Sequence, residues 1–374
     1  MSATTALAHR FDAWVRSGDL TLLGLARFRI LFAVVTLLTL PDVTRVAAYP
    51  DAWFAPPLGP LRVLPAWPPE PVLVLVQVLW VFALVALALG WRTTAASVSA
   101  TVLSVAAYGL LYSTGKIDHN ILAVLLPLVL AWSRWGERLS LDALRRSASA
   151  PPDPTAPAPA PPLRYLALLV GLAFFSAAVP KVVAGWLDPS SQAVQYDLYA
   201  EYYTHGRTEL LAPVAIGLHS PLLWETADWA TVVLEGGLLL AVLSWRAWRT
   251  GLAITTLFHL GVYLAMNISF SWNVLVYAAF VPWDQVRLPT LARRAPAALG
   301  RWWGGVVAVA VALAWTGVLA LAGDPAWFVS RLVIFVGAAV AVWYLIVQAR
   351  TLFRRPQTGR EEQVPTAVGG AGSH

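Results

Sequence analysis

Against a background that is 58% hydrophobic and only 12% charged, a few polar residues stand where they could do chemistry. Glu235 lies in "TVVLEGGLLLAV", His259 in "ITTLFHLGVYLAM", Asp118 and His119 in "KIDHNIL", and Lys181 in "FFSAAVPKVVAGWLDP". An ionisable group at the centre of a membrane helix costs about 2.5–3.5 kcal/mol on translocon scales, so each one retained invites a functional explanation. A carboxylate and an imidazole at one depth can neutralise each other or pass a proton. An amine shielded from water can serve as a base. Each residue also has a structural explanation. Glu235 and His259 can be a buried pair that couples two helices. His119 can begin a helix at the interface with Asp118 as its N-cap, and Lys181 can snorkel toward the headgroups.

The elements that must position these residues follow from composition. Mean hydropathy is +0.65, and a soluble domain would carry about 25% charged residues, so the chain reads as an all-α, polytopic integral membrane bundle. Trp91, Trp132, Trp135, Trp186, Trp245 and Trp283, among 19 Trp residues, flank the apolar runs as an interfacial aromatic belt does. Runs of about 20 apolar residues predict spans near 20–40, 71–90, 95–112, 119–133, 164–181, 229–244, 251–269, 271–283, 304–322 and 331–349. The fourth and eighth are short, giving nine or ten transmembrane helices. With the N-terminus cytoplasmic, eighteen arginines fall in inner segments against five or six basic residues outside, the expected asymmetry. A hairpin centred on Ala247 in "WRAWR" places Glu235 and His259 twelve residues away on either side, at one depth. The same reasoning brings His119 and Lys181 to the outer face, where they can meet.

The pI near 9.8 is explained by that topology, so no nucleic-acid partner is expected. Without cysteine there is no disulfide, thiolate or Cys-ligated metal, and neither a metal nor a haem is expected. The first 19 residues read as a cytoplasmic segment with no removable signal peptide. "SASAPPDPTAPAPAPP" (147–162) reads as a cytoplasmic linker that forms neither a packed helix nor a strand ladder. Residues 187–228 carry six carboxylates and read as an outer cap. Two further spans follow in 286–350, and 351–374 reads as a disordered cytoplasmic tail.

"LGLARFRILFAVVTLL" (23–38), "LGPLRVLPAWP" (58–68), "ALALGWRTT" (86–94), "KIDHNILAVLL" (116–126), "AVPKVVAGWLDP" (178–189), "VLEGGLLLAV" (233–242) and "LFHLGVYLAMNISF" (257–270) occur in an order and spacing that resemble the HTTM family. Its best understood member is the vitamin K-dependent gamma-carboxylase. The resemblance covers roughly residues 20–285. It implies that Lys181, in "PKVVAGW", matches the lysine base that starts the reaction, and that His119 matches an assisting histidine. Ile117 and Asp118 stand where that enzyme has two Asn residues. Glu235 matches an Asp and His259 the His of an "FH" motif, as supporting or proton-relay groups. The implied chemistry is a reduced menaquinone or vitamin K-type quinol, deprotonated by the lysine, oxygenated by O2 and converted to an alkoxide that removes a carbon-bound proton, leaving an epoxide. The large soluble region of the vitamin K enzyme has no counterpart in residues 286–374, so processive carboxylation of a protein is not expected. Three functions stay open: a quinol-dependent oxygenase or carboxylase-type enzyme at the outer membrane face, a maturation or export partner of a secreted peptide of the sporulation-delaying type, and a non-catalytic scaffold or transporter. The bilayer is a partner in all three.

Overall fold

The computed structural model describes residues 3–57, 59–114, 119–146, 153, 155–286 and 325–353. The described residues are helical apart from turns and one isolated antiparallel bridge between Thr21 and Pro157. The order is α1 Ala3–Arg16, α2 Leu22–Leu38, α3 Glu70–Leu89, α4 Thr93–Leu111, α5 Ile121–Leu130, α6 Leu141–Arg146, α7 Ala160–Val183, α8 Ala193–Tyr199, α9 Ala212–Ala215, α10 Pro221–Ala241, α11 Trp245–Met266, α12 Ser271–Tyr277 and α13 Pro325–Phe353. Among the described residues four helices are long and apolar enough to cross a membrane: Glu70–Leu89, Thr93–Thr114, Ala160–Val183 and Ala326–Thr351. Helix α2 has 17 residues, and α10 interrupts its apolar run with Glu225, Asp228 and Glu235. The span expected at 304–322, Asp118, and the tail from residue 354 lie outside the described residues.

Several boundaries differ from the sequence expectation, for local reasons. The Pro/Ala tract is partly regular: Ala160 opens α7, where Pro161 and Pro162 cost nothing because first-turn N–H groups have no helical acceptor. Just before it, Leu22 N donates to Ala156 O at 3.0 Å and Ala158 N to Leu20 O at 2.8 Å. The N-terminal segment contains a helix, α1. Helix α5 begins at Ile121 after Asn120, so His119 precedes the helix instead of opening it. "WRAWR" is not a turn. The Ser244 hydroxyl accepts from Ala247 N and caps α11, which moves the hairpin back to residues 242–244.

Tight helix pairing relies on small residues, as in membrane bundles generally. A Cβ on Gly171 of α7 would stand 3.1 Å from the Leu239 Cα of α10. One end of the bundle is held by arginines bonded to loop carbonyls. The fully buried Arg29 donates to Trp135 O at 2.8 Å and Leu139 O at 2.5 Å. Arg164 donates to Trp14 O, Val242 O and Ser17 Oγ, with its guanidinium 4.8 Å from the Trp14 ring centre and 3.8 Å from that of Trp245. Arg249 forks onto Asp19 and reaches Phe280 O. At the end opposite Lys181 these contacts tie α7 to α1 and to the end of α10, α2 to the α5–α6 connection, and α11 to Asp19 and Phe280.

Gly90 ends α3 with φ 66°, and an added Cβ there would meet the Ser140 Cβ and, at 2.8 Å, an Arg29 nitrogen. Gly90→Ala combines left-handed strain with that clash, so it should lower unfolding stability in detergent by at least about 1–3 kcal/mol. A variant that melts like the wild type would contradict the close Arg29 approach.

Candidate functional site

Lys181 belongs to the last turn of α7, where the helix dipole favours a cation. The turn closes as Ala184 N donates to Pro180 O and Trp186 N to Lys181 O, with Gly185 at φ 82°. The amine is then committed to α10: Nζ donates to both oxygens of Glu235 at 2.5 Å. The two side chains are 23% and 10% exposed, which removes most of the bulk water that would weaken the pair. The Trp186 ring centre lies 5.2 Å from Nζ, within cation–π range.

Glu235 is placed by the buried face of α10. Trp224, Asp228, Thr231, Glu235 and Leu238 recur every three or four residues and turn inward together. Two turns before Glu235 on that face, the fully buried Asp228 accepts from Ala193 N at 2.8 Å and Val194 N at 2.7 Å, and from Ser191 Oγ at 3.3 Å. It thereby caps α8 from another helix and fixes the 187–228 segment over this end of the bundle. Asp197 on α8 lies within electrostatic reach of Lys181, Glu201 and Asp228; burial pushes its carboxyl up, against the pull of Lys181.

A second cluster lies on α11, α12 and the loop between them. The His259 Nε2 and the Tyr277 hydroxyl are 3.0 Å apart, and the His259 Nδ1 is buried without a hydrogen-bond partner. The Phe270 ring stacks on His259 with centroids 4.2 Å apart and 7° between planes, and the His119 ring lies on Phe270 at 4.1 Å. Phe174 of α7 joins His259 at 5.9 Å and Tyr277 at 6.2 Å. Glu235 is within electrostatic reach of Tyr277, which links this cluster to the lysine pair.

The expected Glu235–His259 pair is therefore replaced by two pairs, Lys181–Glu235 and His259–Tyr277. The reason is the position of the hairpin. Measured from residue 243, Glu235 is eight residues away and His259 sixteen, a depth difference of about 12 Å at about 1.5 Å per residue. His119 and His259 come together across Phe270, and Lys181 takes its hydrogen bonds to Glu235. Sequence reading did not single out Tyr277, Phe270, Trp186 or Asp228 as site residues. Phe270 and Trp186 sit inside the quoted motifs "LFHLGVYLAMNISF" and "AVPKVVAGWLDP", which was the available signal. Among the described residues no group of His, Asp and Glu has the arrangement to hold a metal ion.

The site residues fall within one homologous segment. A family model described as "HTTM domain" matches residues 17–283, which include His119, Lys181, Glu235, His259, Phe270 and Tyr277. No match to the chain is found among curated proteins or solved structures. The matched span is well over half of the 374 residues, and the chain belongs to the HTTM domain family, a membrane domain family related to the gamma-carboxylase.

Proposed function

We propose that the protein is a multi-pass enzyme of the cell membrane that uses a reduced menaquinone or vitamin K-type quinol, with Lys181 as its base near the outer face. In this reading nine or ten helices span the bilayer, and the N-terminus is cytoplasmic. The observation that carries it is the Lys181–Glu235 pair, shielded from water and adjoining a stack of aromatic rings. A planar naphthoquinone ring suits that stack, and the unpartnered His259 Nδ1 offers a polar contact for a quinol oxygen. Apart from Lys116, every other strongly basic side chain is Arg, which stays protonated, so Lys181 is the strong base of this site able to take up a proton.

The quinol, once deprotonated, supplies the electrons that reduce O2, one oxygen atom entering the epoxide and the other leaving as water. The chain's part is to hold and move protons. Lys181 Nζ accepts the quinol hydroxyl proton after Glu235 takes up the amine's own, a transfer along an existing hydrogen bond that leaves neither group charged in a dry site. His259 is oriented by Tyr277, and His119 lines the far side of Phe270. A carbon acid on a secreted peptide or protein is the partner such chemistry calls for.

The same pair also supports the scaffold reading, because it ties α7 to α10. The two readings differ in turnover. Proteoliposomes with the full chain, given reduced menaquinone or vitamin K and O2, are expected to consume quinol faster than protein-free vesicles; no consumption of any quinol would remove the enzyme reading. Topology is checked by membrane-impermeant thiol labelling in a chain that lacks cysteine: His205→Cys should react from outside and Thr155→Cys only from inside.

A further inference from the structure

Two cavities flank the first turn of α4, at the end of the bundle opposite Lys181. One, of about 430 Å³, is lined by Thr93, Thr94, Arg134, Asp142, Arg145 and Arg146. The other, of about 540 Å³, is a groove between α3 and α4, with Leu79, Phe82, Ala86, Arg92, Ala95 and Val102 on its walls. Thr93 and Thr94 face the first, while Arg92 and Ala95 face the second, so one short stretch separates a basic chamber from an apolar channel.

We propose that these cavities together bind one anionic phospholipid, its phosphate held in the chamber by Arg145 and Arg146 and an acyl chain lying in the α3–α4 groove. The two carboxylates of the chamber do not outweigh its three arginines: Glu137 pairs with Arg134, and Asp142, an anion held by neutral donors, faces both Arg145 and Arg146. Asp142 accepts from Arg92 N, Thr93 N and the Thr93 hydroxyl, each at 2.8 Å. Both Glu137 oxygens are held by Arg134, at 2.5 and 2.6 Å. Among the described residues Arg146 makes long bonds, 3.2 Å from Nε to Asp142 O and 3.2 Å from one terminal nitrogen to Gly136 O, and its other N–H groups can donate to an incoming oxyanion. The groove's Phe82 and Val102 are 55% and 60% exposed on helices apolar enough to cross a membrane, where hydrocarbon is the natural cover. Trp132 beside the chamber is 64% exposed, as expected of a ring at headgroup depth. A basic pocket at that depth recognises anionic headgroups, and the adjoining groove favours a diacyl ligand over free phosphate.

Native mass spectrometry of the detergent-purified full chain tests this with phosphatidylglycerol, phosphatidylcholine of the same chains, and glycerol phosphate. Phosphatidylglycerol should be retained about tenfold better than phosphatidylcholine. Arg145→Gln should erase most of that preference, and Ser99→Trp, at a residue that also lines the groove, should lower retention of phosphatidylglycerol, both with wild-type melting temperatures. Equal retention of the two lipids would overturn the proposal. So would displacement of phosphatidylglycerol by equimolar glycerol phosphate, or full binding by both variants.

Discussion

Lys181→Ala is expected to reduce quinol turnover by about 10²–10⁴-fold, the usual worth of a positioned general base. The chain holds only two lysines, so few other amines can substitute. Truncation also strands Glu235, which is 10% exposed and has both oxygens on Lys181, so lost stability must be separated from lost chemistry. Lys181→Gln makes that separation: its amide can still donate to Glu235 but cannot accept a proton as an amine does. Initial rates per amount of folded protein should fall alike in both variants. Turnover of either variant within a few-fold of wild type would exclude Lys181 as the base while leaving the fold account intact.

The second large effect is on stability. Glu235→Leu leaves an ammonium facing apolar side chains at the α7–α10 contact. Breaking one side of a shielded pair costs about 3–5 kcal/mol, and the remaining 23% exposure of Lys181 favours the lower end. Lys181→Met combined with Glu235→Leu should recover most of that loss, because it removes both desolvated charges and keeps apolar bulk. Chemical unfolding in detergent gives the cycle directly. A single variant as stable as wild type, or a double variant no better than Glu235→Leu, would mean that the two side chains do not share an energetic contact.

What the sequence made legible was what one stretch of chain can encode. The apolar runs that become α3, α4 and α7 announce themselves by length, and the helical bundle follows from them. Lys181, His119, Glu235 and His259 stand out because a charge or imidazole amid Leu, Val and Ala is costly. The partners did not follow, because partnership depends on register between helices distant in sequence. Lys181 meets Glu235 across 54 positions through an α7–α10 contact that Gly171 brings close. Depth counting across the α10–α11 hairpin depends on its centre, and the Ser244 cap shifted that centre by four residues, from 247 to 243. Ser244, three residues before Ala247, is the capping residue that starts α11 here. Arg29 is a different case. Within an apolar run it resembles a defect, and its function emerges only when the carbonyls of Trp135 and Leu139 are seen around it. The order of seven motifs carried the family, which no single pattern among them could have done.

If Lys181 is the base, a quinol gives up its proton there and is then oxygenated. Isotopically labelled dioxygen tests it most directly, with the full chain in proteoliposomes, reduced naphthoquinone as substrate, and mass spectrometry of the extracted quinone. Wild-type protein should yield a quinone epoxide with one labelled oxygen atom, and Lys181→Gln none above the protein-free background. Quinone recovered without label, or equal labelling by the Gln variant, would contradict it.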